Sequence, residues 1–535
     1  MPNTRFLAAF VVLLSVIWAG AARAEEAPPS AVGRISASTG AVSLRPAGGE
    51  WGAAALNDPV IAGMAVRTTA PARAALGIGA ARIALSGATE LDIARLDDTT
   101  RQIAVQQGRI GIHLTRLAPG ETVEIDLPRG GVWLLAPGDY DITAGNDQMP
   151  SRVAVFAGQA HFAGSGADRK IAAGSTLVLN AKGATAATLE SAAADDFVAA
   201  WRPAPDAATE PVALRHVSPE MTGWETLDGA GNWEETAGFG EIWFPKNLPD
   251  DWAPYRYGHW RWVMPWGWSW VDDAAWGFAP SHYGRWARIP GAGAETARWA
   301  WVPGATPAAH PVYTPAAVNF LGTAGIGLSC PDPVGTAVAW FPLAPGEAYW
   351  PSYTTDLELI RRTNAGAVKD VAKIGPGIGG DPPGDLITAA YQNRRFASVV
   401  PRAVFAGGRA VAPALVPLPT ERLANAPVLP GSPQIMPPAS KPMVVAVASA
   451  VHTLARILTP RQTRAAARTL ILRPNRAPMA QAGSGTTFAQ ARSVFAARVG
   501  SSASRAKERA VAAYARASRG RTHLAAATST RTRLH

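Results

Sequence analysis

The side chains able to do chemistry in this sequence crowd into one stretch. Asp272 and Asp273 form its best carboxylate pair, of a kind that holds a cation or shares a proton. Adjacent aspartates at a strand end also point to opposite sides and serve turns, and the turn is the preferred reading. His259 and His282 stand in related contexts, two imidazoles able to ligate zinc with Asp272 or Asp273. No third ligand occurs at a standard spacing, so hydrogen bonding inside an aromatic lattice is the simpler role; no metal or cofactor is expected. Arg256, Arg261, Arg285 and Arg298 lie among tryptophans, where they can stack on indole faces. Their competing role is a groove that reads a polyanion or a sugar. Trp266, placed at a turn, and Trp276, just after the aspartates, are the indoles expected to be exposed enough to bind. The candidate ligand site is therefore Trp266, Trp276, Asp272, Asp273, Arg261 and Arg285.

These residues need positioning elements, and the tryptophans supply them. Fifteen of the nineteen fall between Trp224 and Trp350, ten of them between Trp252 and Trp301. Trp260 and Trp262 alternate with His259, Arg261 and Val263, and Trp268 and Trp270 alternate with Ser269 and Val271, which is strand periodicity. Met264-Pro-Trp-Gly267 between them suits a type I turn. Gly-x-Trp recurs at Gly231, Gly258 and Gly284, at offsets of 27 and 26 residues. Each is followed by a second strand carrying Trp243, Trp270 or Trp301; a fourth such strand carries Trp340, with Val318-Asn-Phe-Leu-Gly322 in front of it. From each second-strand tryptophan a tyrosine follows 12 to 14 residues on: Tyr257, Tyr283, Tyr313 and Tyr353. The expectation is one all-β domain over 218–353 made of about four hairpin modules, since a lone hairpin cannot bury its aromatic face. Core packing is the leading role for most indoles. The competing role is a platform for sugar rings.

Upstream, residues 31–190 alternate apolar and polar residues in short runs, with turn signals every eight to twelve residues. This predicts a β-sandwich or β-roll. Gly33-Arg-Ile-Ser-Ala-Ser-Thr-Gly-Ala-Val42, Gln107-Gly-Arg-Ile110, Pro137-Gly-Asp-Tyr-Asp-Ile142 and Val153-Ala-Val-Phe-Ala-Gly-Gln-Ala160 follow in an order that resembles the FecR-type domain of envelope proteins. The resemblance implies a periplasmic sensing or binding domain, in some members coupled to outer-membrane signalling. No internal transmembrane helix or cytoplasmic anti-sigma segment is expected here, which argues against direct sigma-factor regulation. Residues 191–217 read as a linker, with a short helix over Ala194–Trp201.

From Ser218-Pro-Glu-Met-Thr-Gly-Trp224 through Trp252-Ala-Pro-Tyr-Arg-Tyr-Gly-His-Trp260, Pro265-Trp-Gly-Trp-Ser-Trp-Val-Asp-Asp273, Trp276-Gly-Phe-Ala-Pro-Ser-His-Tyr-Gly-Arg-Trp286 and Trp340-Phe-Pro-Leu-Ala-Pro-Gly-Glu347, the chain resembles a Trp-rich family of exported proteobacterial proteins. The resemblance extends to about residue 410. It implies location and architecture, and no activity.

Residues 1–24 read as a secretory signal: Arg5, an apolar run from Phe6 to Ala19, and Ala22-Arg-Ala24 before Glu25. The expected location is the periplasm or envelope of a Gram-negative bacterium. Cys330, the single cysteine, reads as an incidental loop thiol, and no disulfide is available to stabilise the fold. Gly375 to Gly384 reads as a linker rather than a phosphate loop, since no Gly-Lys-Ser/Thr follows. Residues 411–442 read as a Pro-rich spacer.

Residues 436–535 hold 17 Lys plus Arg against Glu508 alone, a balance of +16, so the rest of the +10 chain carries −6. The tail 443–535 is Ala- and Arg-rich, either partly helical on a membrane surface or disordered. Its expected partners are envelope polyanions or an anionic membrane, with glycan or another envelope protein possible for the folded part. Nucleic acid is not expected. No Gly-x-Ser-x-Gly, His-Glu-x-x-His or Cys-x-x-Cys occurs, and no enzyme activity is expected.

Overall fold

Alternating Val, Ile and Leu positions give each strand of the first half one apolar face, and the chain closes these faces on each other. A computed structural model describes residues 28–164, 167–180, 187–203, 210–291, 297–304, 310–322, 328–330, 335–375 and 390–438. The expected signal segment 1–24, nearly all of the loop 375–384 and the basic tail 443–535 lie outside these residues. Two nine-stranded sheets form the first half. One runs Ala187–Ser191, Ser175–Leu179, Ser151–Ala157, Gly138–Thr143, Arg109–Leu114, Ala81–Leu85, Arg73–Ile78, Gly33–Thr39 and Pro59–Val60 across its width. The other runs Ala167–Ala172, Gln159–Gly164, Gly130–Leu134, Thr122–Leu127, Thr100–Gln107, Glu90–Leu96, Ala65–Thr68, Val42–Arg45 and Gly52–Ala53. Pairing is antiparallel except between Thr122–Leu127 and Thr100–Gln107. Leu76, Leu85 and Ile112 of the first sheet share one core with Val66, Leu91 and Ile125 of the second. The expected short helix is present at Asp196–Trp201, with Asp195 capping it by accepting the Val198 N–H at 3.1 Å. The mainly-β expectation holds throughout.

Four hairpins follow, as the tryptophan spacing requires. Gly231–Thr236 pairs with Gly240–Pro245, Gly258–Val263 with Gly267–Asp272, Arg285–Ile289 with Arg298–Val302, and Val318–Leu321 with Thr336–Pro342. Each places an aromatic pair directly across its strands: Trp233 opposite Trp243, Trp260 opposite Trp270, Trp286 opposite Trp301, Phe320 opposite Trp340. The first and third hairpins join through Trp243 opposite Trp301. The fourth is looser: the short strand Leu328–Ser329 lies between its two strands in sequence and pairs with Thr336–Pro342, and Ser398–Pro401 and Val428–Leu429 join the same sheet. The indoles meet edge to face, Trp260 with Trp270 at 5.5 Å and with Trp340 at 5.3 Å between centroids.

The recurring glycine has a steric cause. A Cβ on Gly231 would lie 2.3 Å from the Trp243 ring, and one on Gly258 would lie 2.7 Å from the Trp270 ring. The second-strand indole folds back over the first residue of its partner strand, and only glycine leaves room. In the fourth hairpin Val318 takes this place, and the Trp340 indole instead reaches Tyr255, donating to its carbonyl at 2.9 Å.

Two local expectations are corrected. The connection of the second hairpin is three residues, 264–266, because Gly267 already pairs with Val263. It contains a cis Met264–Pro265 bond and leads into Gly267 at φ +85°, so it is not the four-residue type I turn. The Pro-rich stretch is no extended spacer: it holds a helical turn at Ala412–Ala414, a short helix at Thr420–Asn425 and the strand Val428–Leu429. It is also packed, with Val411 and Ile435 buried and the Ile435 carbonyl accepting the Trp268 N–H at 2.6 Å. Among the described residues no helix is long and apolar enough to cross a membrane.

The sandwich and the hairpins belong to one compact unit ending at Met436. Polar side chains, all buried on the sandwich side, stitch the seam. Arg34 donates to Asn57 Oδ1 and to the Ala275 carbonyl, both at 2.7 Å, and pairs with Glu225 at 2.6 Å. Asn57 donates on to the Asp272 and Ala274 carbonyls. Asp58 pairs with Arg261 at 2.6 Å.

Candidate functional site

A cleft of about 350 Å³ opens on the hairpin side of the molecule, lined by residues between His216 and Ala367, and one short run of chain supplies much of its wall. The helix Phe278–His282 ends at Tyr283, whose backbone is extended. Gly284 then turns the chain at φ +66° into the strand Arg285–Ile289. A Cβ on Gly284 would sit 2.3 Å from the Val302 carbonyl, so this turn too demands glycine. His282, Tyr283, Gly284 and Arg285 consequently all line the cleft.

Arg285 is 2% exposed. Its Nε donates to the Glu347 carbonyl at 3.1 Å, Nη1 to the Gly284 carbonyl at 2.8 Å and Nη2 to Asn364 Oδ1 at 2.8 Å. Asn364 ends the helix Leu357–Asn364 and is itself fixed: Oδ1 also accepts the Tyr349 N–H, and Nδ2 donates to the Tyr349 and Ile360 carbonyls. Burial pushes the Arg285 guanidinium down to about 10, so it stays charged at neutral pH. His282 Nδ1 donates to the Thr314 carbonyl at 2.7 Å, and burial pushes this imidazole down to about 3, leaving it neutral. His216, stacked on Trp233 at 4.3 Å, and His310 complete an imidazole-rich wall, with Pro303, Gly304, Pro311, Thr363 and Gly366 around them. Arg362 stands at the rim and pairs with Asp98 of the sandwich at 3.1 Å. A smaller hollow adjoins, sharing Tyr283, His310 and Pro311. There Arg101 of the sandwich pairs with Glu220, whose carboxyl burial pushes upward.

Residues 224–347 match the model of a family of unknown function, DUF6600. The match starts at Trp224 and takes in all four hairpins and Arg285. No curated protein matches the chain. Two crystal structures of a candidate anti-sigma factor from Parabacteroides distasonis are similar over 24% of this chain, at 10% identity and a TM-score of 0.22. The chain spans 59% of the length of that protein.

The six site residues expected from sequence do not converge. Arg285 alone lines the cleft. Within the DUF6600 segment, Asp272 and Asp273 point apart as a strand-end pair should. Asp273 is exposed, while Asp272 is buried, accepts the Trp270 Nε1–H at 3.0 Å and closes a turn by accepting the Ala274 N–H at 2.9 Å. Burial raises the Asp272 carboxyl to about 7. Arg261 is held by Asp58 across the seam. Trp266, expected to be exposed, is 2% exposed: the chain turns Met264 outward and packs the indole on Tyr313 at 4.9 Å. Trp276 is half-buried against Trp243 and Trp252. Among the described residues no tryptophan is exposed, so no patch of solvent-facing indoles exists there. Among the described residues none of the four expected arginines stacks on an indole: Arg298 lies 4.0 Å over the Phe244 ring, while Arg288 lies over Trp299 and Arg45 and Arg67 over Trp51. Cys330 is buried, which pushes its thiol up and away from reactivity. Sequence reasoning passed over His216, His310 and Arg362. His310 stands before Pro311, His216 follows the helical turn Val212–Arg215 and Arg362 sits in the helix Leu357–Asn364, contexts that carry almost no local signal of a site.

Proposed function

We propose that this chain is a non-enzymatic component of a Gram-negative cell envelope, a binding or scaffolding module exported by residues 1–24. In this reading the sandwich is a FecR-like domain, the DUF6600 segment is its rigid partner, and the basic residues 443–535 hold the module to anionic envelope surfaces. One observation carries the reading. The indoles are spent on packing, and the opening left in the indole half is a pre-formed cleft lined by Arg285 and three imidazoles. Such a concave, largely pre-formed site suits recognition. A glycan platform of exposed tryptophans loses its premise, because Trp266 is buried and Trp276 is wedged between two other indoles.

Fractionation of cells expressing the full chain tests the reading, with sequencing of the mature N-terminus. The expected outcome is a periplasmic or envelope-bound protein beginning at Glu25. Retention in the cytoplasm with Met1 intact overturns it. Sedimentation with anionic vesicles tests the tail: binding should fall steeply with added salt, and salt-indifferent binding contradicts an electrostatic hold.

A further inference from the structure

Arg285 lacks what the deeply buried arginines of the seam possess. Arg34 has Glu225, and Arg101 has Glu220 and Glu121. Arg285 makes no ion pair among the described residues, although it is 2% exposed. The nearest acid in sequence contact, Glu347, is committed elsewhere. Its Oε2 accepts the Ala344 N–H at 2.7 Å and its Oε1 accepts the Gln392 N–H at 2.8 Å, so only its main-chain carbonyl meets the guanidinium. The three protein partners of Arg285 are all neutral. Each terminal nitrogen spends one N–H on them, which leaves one N–H on each without a partner among the described residues. A buried cation that no carboxylate among the described residues touches, with Glu347 acting on it only at a distance, is costly to keep, and here it lines a cleft.

We propose that the cleft binds a small oxyanion, a carboxylate or phosphate group, which Arg285 receives with its two spare N–H groups. The guanidinium fork matches the two oxygens of such a group. Asn364 positions the fork, since its own four bonds fix its rotamer. Arg362 at the rim adds positive charge where the ligand enters, partly balanced by Asp98. At about 350 Å³ the cleft is at the small end of ligand pockets, the size of a single sugar or amino acid. This inference rests on the reading of the chain as a binding module and names the chemistry of its ligand.

Calorimetric titration of the full chain with inorganic phosphate and with glucuronate, against glucose as a neutral control of similar size, tests it. Saturable binding of at least one oxyanion, and none of glucose, is expected; the two arms separate phosphate from carboxylate. Arg285→Met should weaken binding by at least roughly tenfold. Ala365→Phe, at an exposed rim position that keeps every bond of Arg285, should weaken binding as much, and it decides the matter where Arg285→Met does not fold. The proposal is overturned if neither oxyanion saturates, if glucose binds equally, or if binding ignores both substitutions. A chain found in the cytoplasm would sink the envelope reading and leave these titrations standing, and failed titrations would leave the export result untouched.

Discussion

The sandwich and the indole body solve one problem, burying the faces of short strands, with different materials. The sandwich uses Ile, Leu and Val, which carry no polar group and are held by shape alone. The indole body uses side chains that bring a donor into the core, and most of these donors find an acceptor, although Trp224, Trp233 and Trp260 Nε1 have none among the described residues. Trp243 donates to the Leu227 carbonyl, Trp268 to Ile435, Trp286 to Pro280, Trp301 to Tyr283 and Trp340 to Tyr255. These acceptors lie outside the donor's own hairpin, so each bond ties a hairpin to its surroundings. The sandwich is specified by volume; the indole body is specified by volume and by addressed hydrogen bonds. The second should tolerate change less.

The seam gives the largest effect and the hardest test of treating the halves as one body. Arg34→Ala should cost about 3–5 kcal/mol, because Glu225 and Asn57 would stay buried without their partner. Denaturant unfolding should show one transition for the parent, with its midpoint sharply lowered in the variant. Two separate transitions in the parent would break the comparison, since the halves would then be independent.

Within the halves, Gly258→Ala and Ile112→Val set the contrast directly. The new Cβ would lie 2.3 Å from the Val271 carbonyl and 2.7 Å from the Trp270 ring, at φ +157°. The expected cost is about 3 kcal/mol. Ile112, equally buried in the sandwich, should lose about 1 kcal/mol on truncation to Val. Equal losses in urea titrations would mean that the indole stack relaxes as freely as an aliphatic core.

How much of this was legible in the sequence follows the same divide. Alternation marked most sandwich strands, because an apolar face two residues apart is a local fact. The spacing of Gly-x-Trp marked the first three hairpins, and Trp340 with the following Tyr353 marked the fourth, because an indole over a glycine is a contact within one hairpin. The seam was not legible. Arg34, Asn57 and Asp58 sit in ordinary strand and turn contexts, and their partners at 225, 261, 272 and 275 lie 191 to 241 residues away. The cleft was legible only at His282 and Arg285, since its other walls come from segments near 216, 304, 310 and 366 that meet through the fold. Trp266 was misjudged because a turn position suggests exposure, while the three-residue connection points that side chain inward.

Asp272 sharpens the comparison through pH. Its carboxyl titrates near 7 in the folded chain and near 4 when unfolded. Between those values the folded state keeps a proton that the unfolded state has released, so this group's stabilisation is full below about pH 4 and is lost as pH rises towards 7. The slope reaches at most about 1.4 kcal/mol per pH unit. Asp272→Asn removes the titration, and one of its two donors, Trp270 Nε1 or the Ala274 N–H, then loses an acceptor. The difference between parent and variant, measured by urea unfolding from pH 4 to 8, should therefore shrink as pH rises. A difference that stays constant would mean that Asp272 is ionised throughout.

The smallest effect belongs to the outer edge of the indole body. Arg298 pairs with Glu234 at 2.9 Å and covers the Phe244 ring at 4.0 Å, but more than half of its side chain is in solvent. Water and salt screen such a pair, and ordering two long side chains offsets much of the attraction. Arg298→Ala should cost less than about 1 kcal/mol, and a double-mutant cycle with Glu234→Ala should return a coupling of a few tenths. Against the several kcal/mol expected at Arg34, this separates a charge that joins two halves from one that decorates a surface. A coupling at Arg298 as large as that at the seam would mean that the edge of the hairpin sheet is covered in solution by something that excludes water from it.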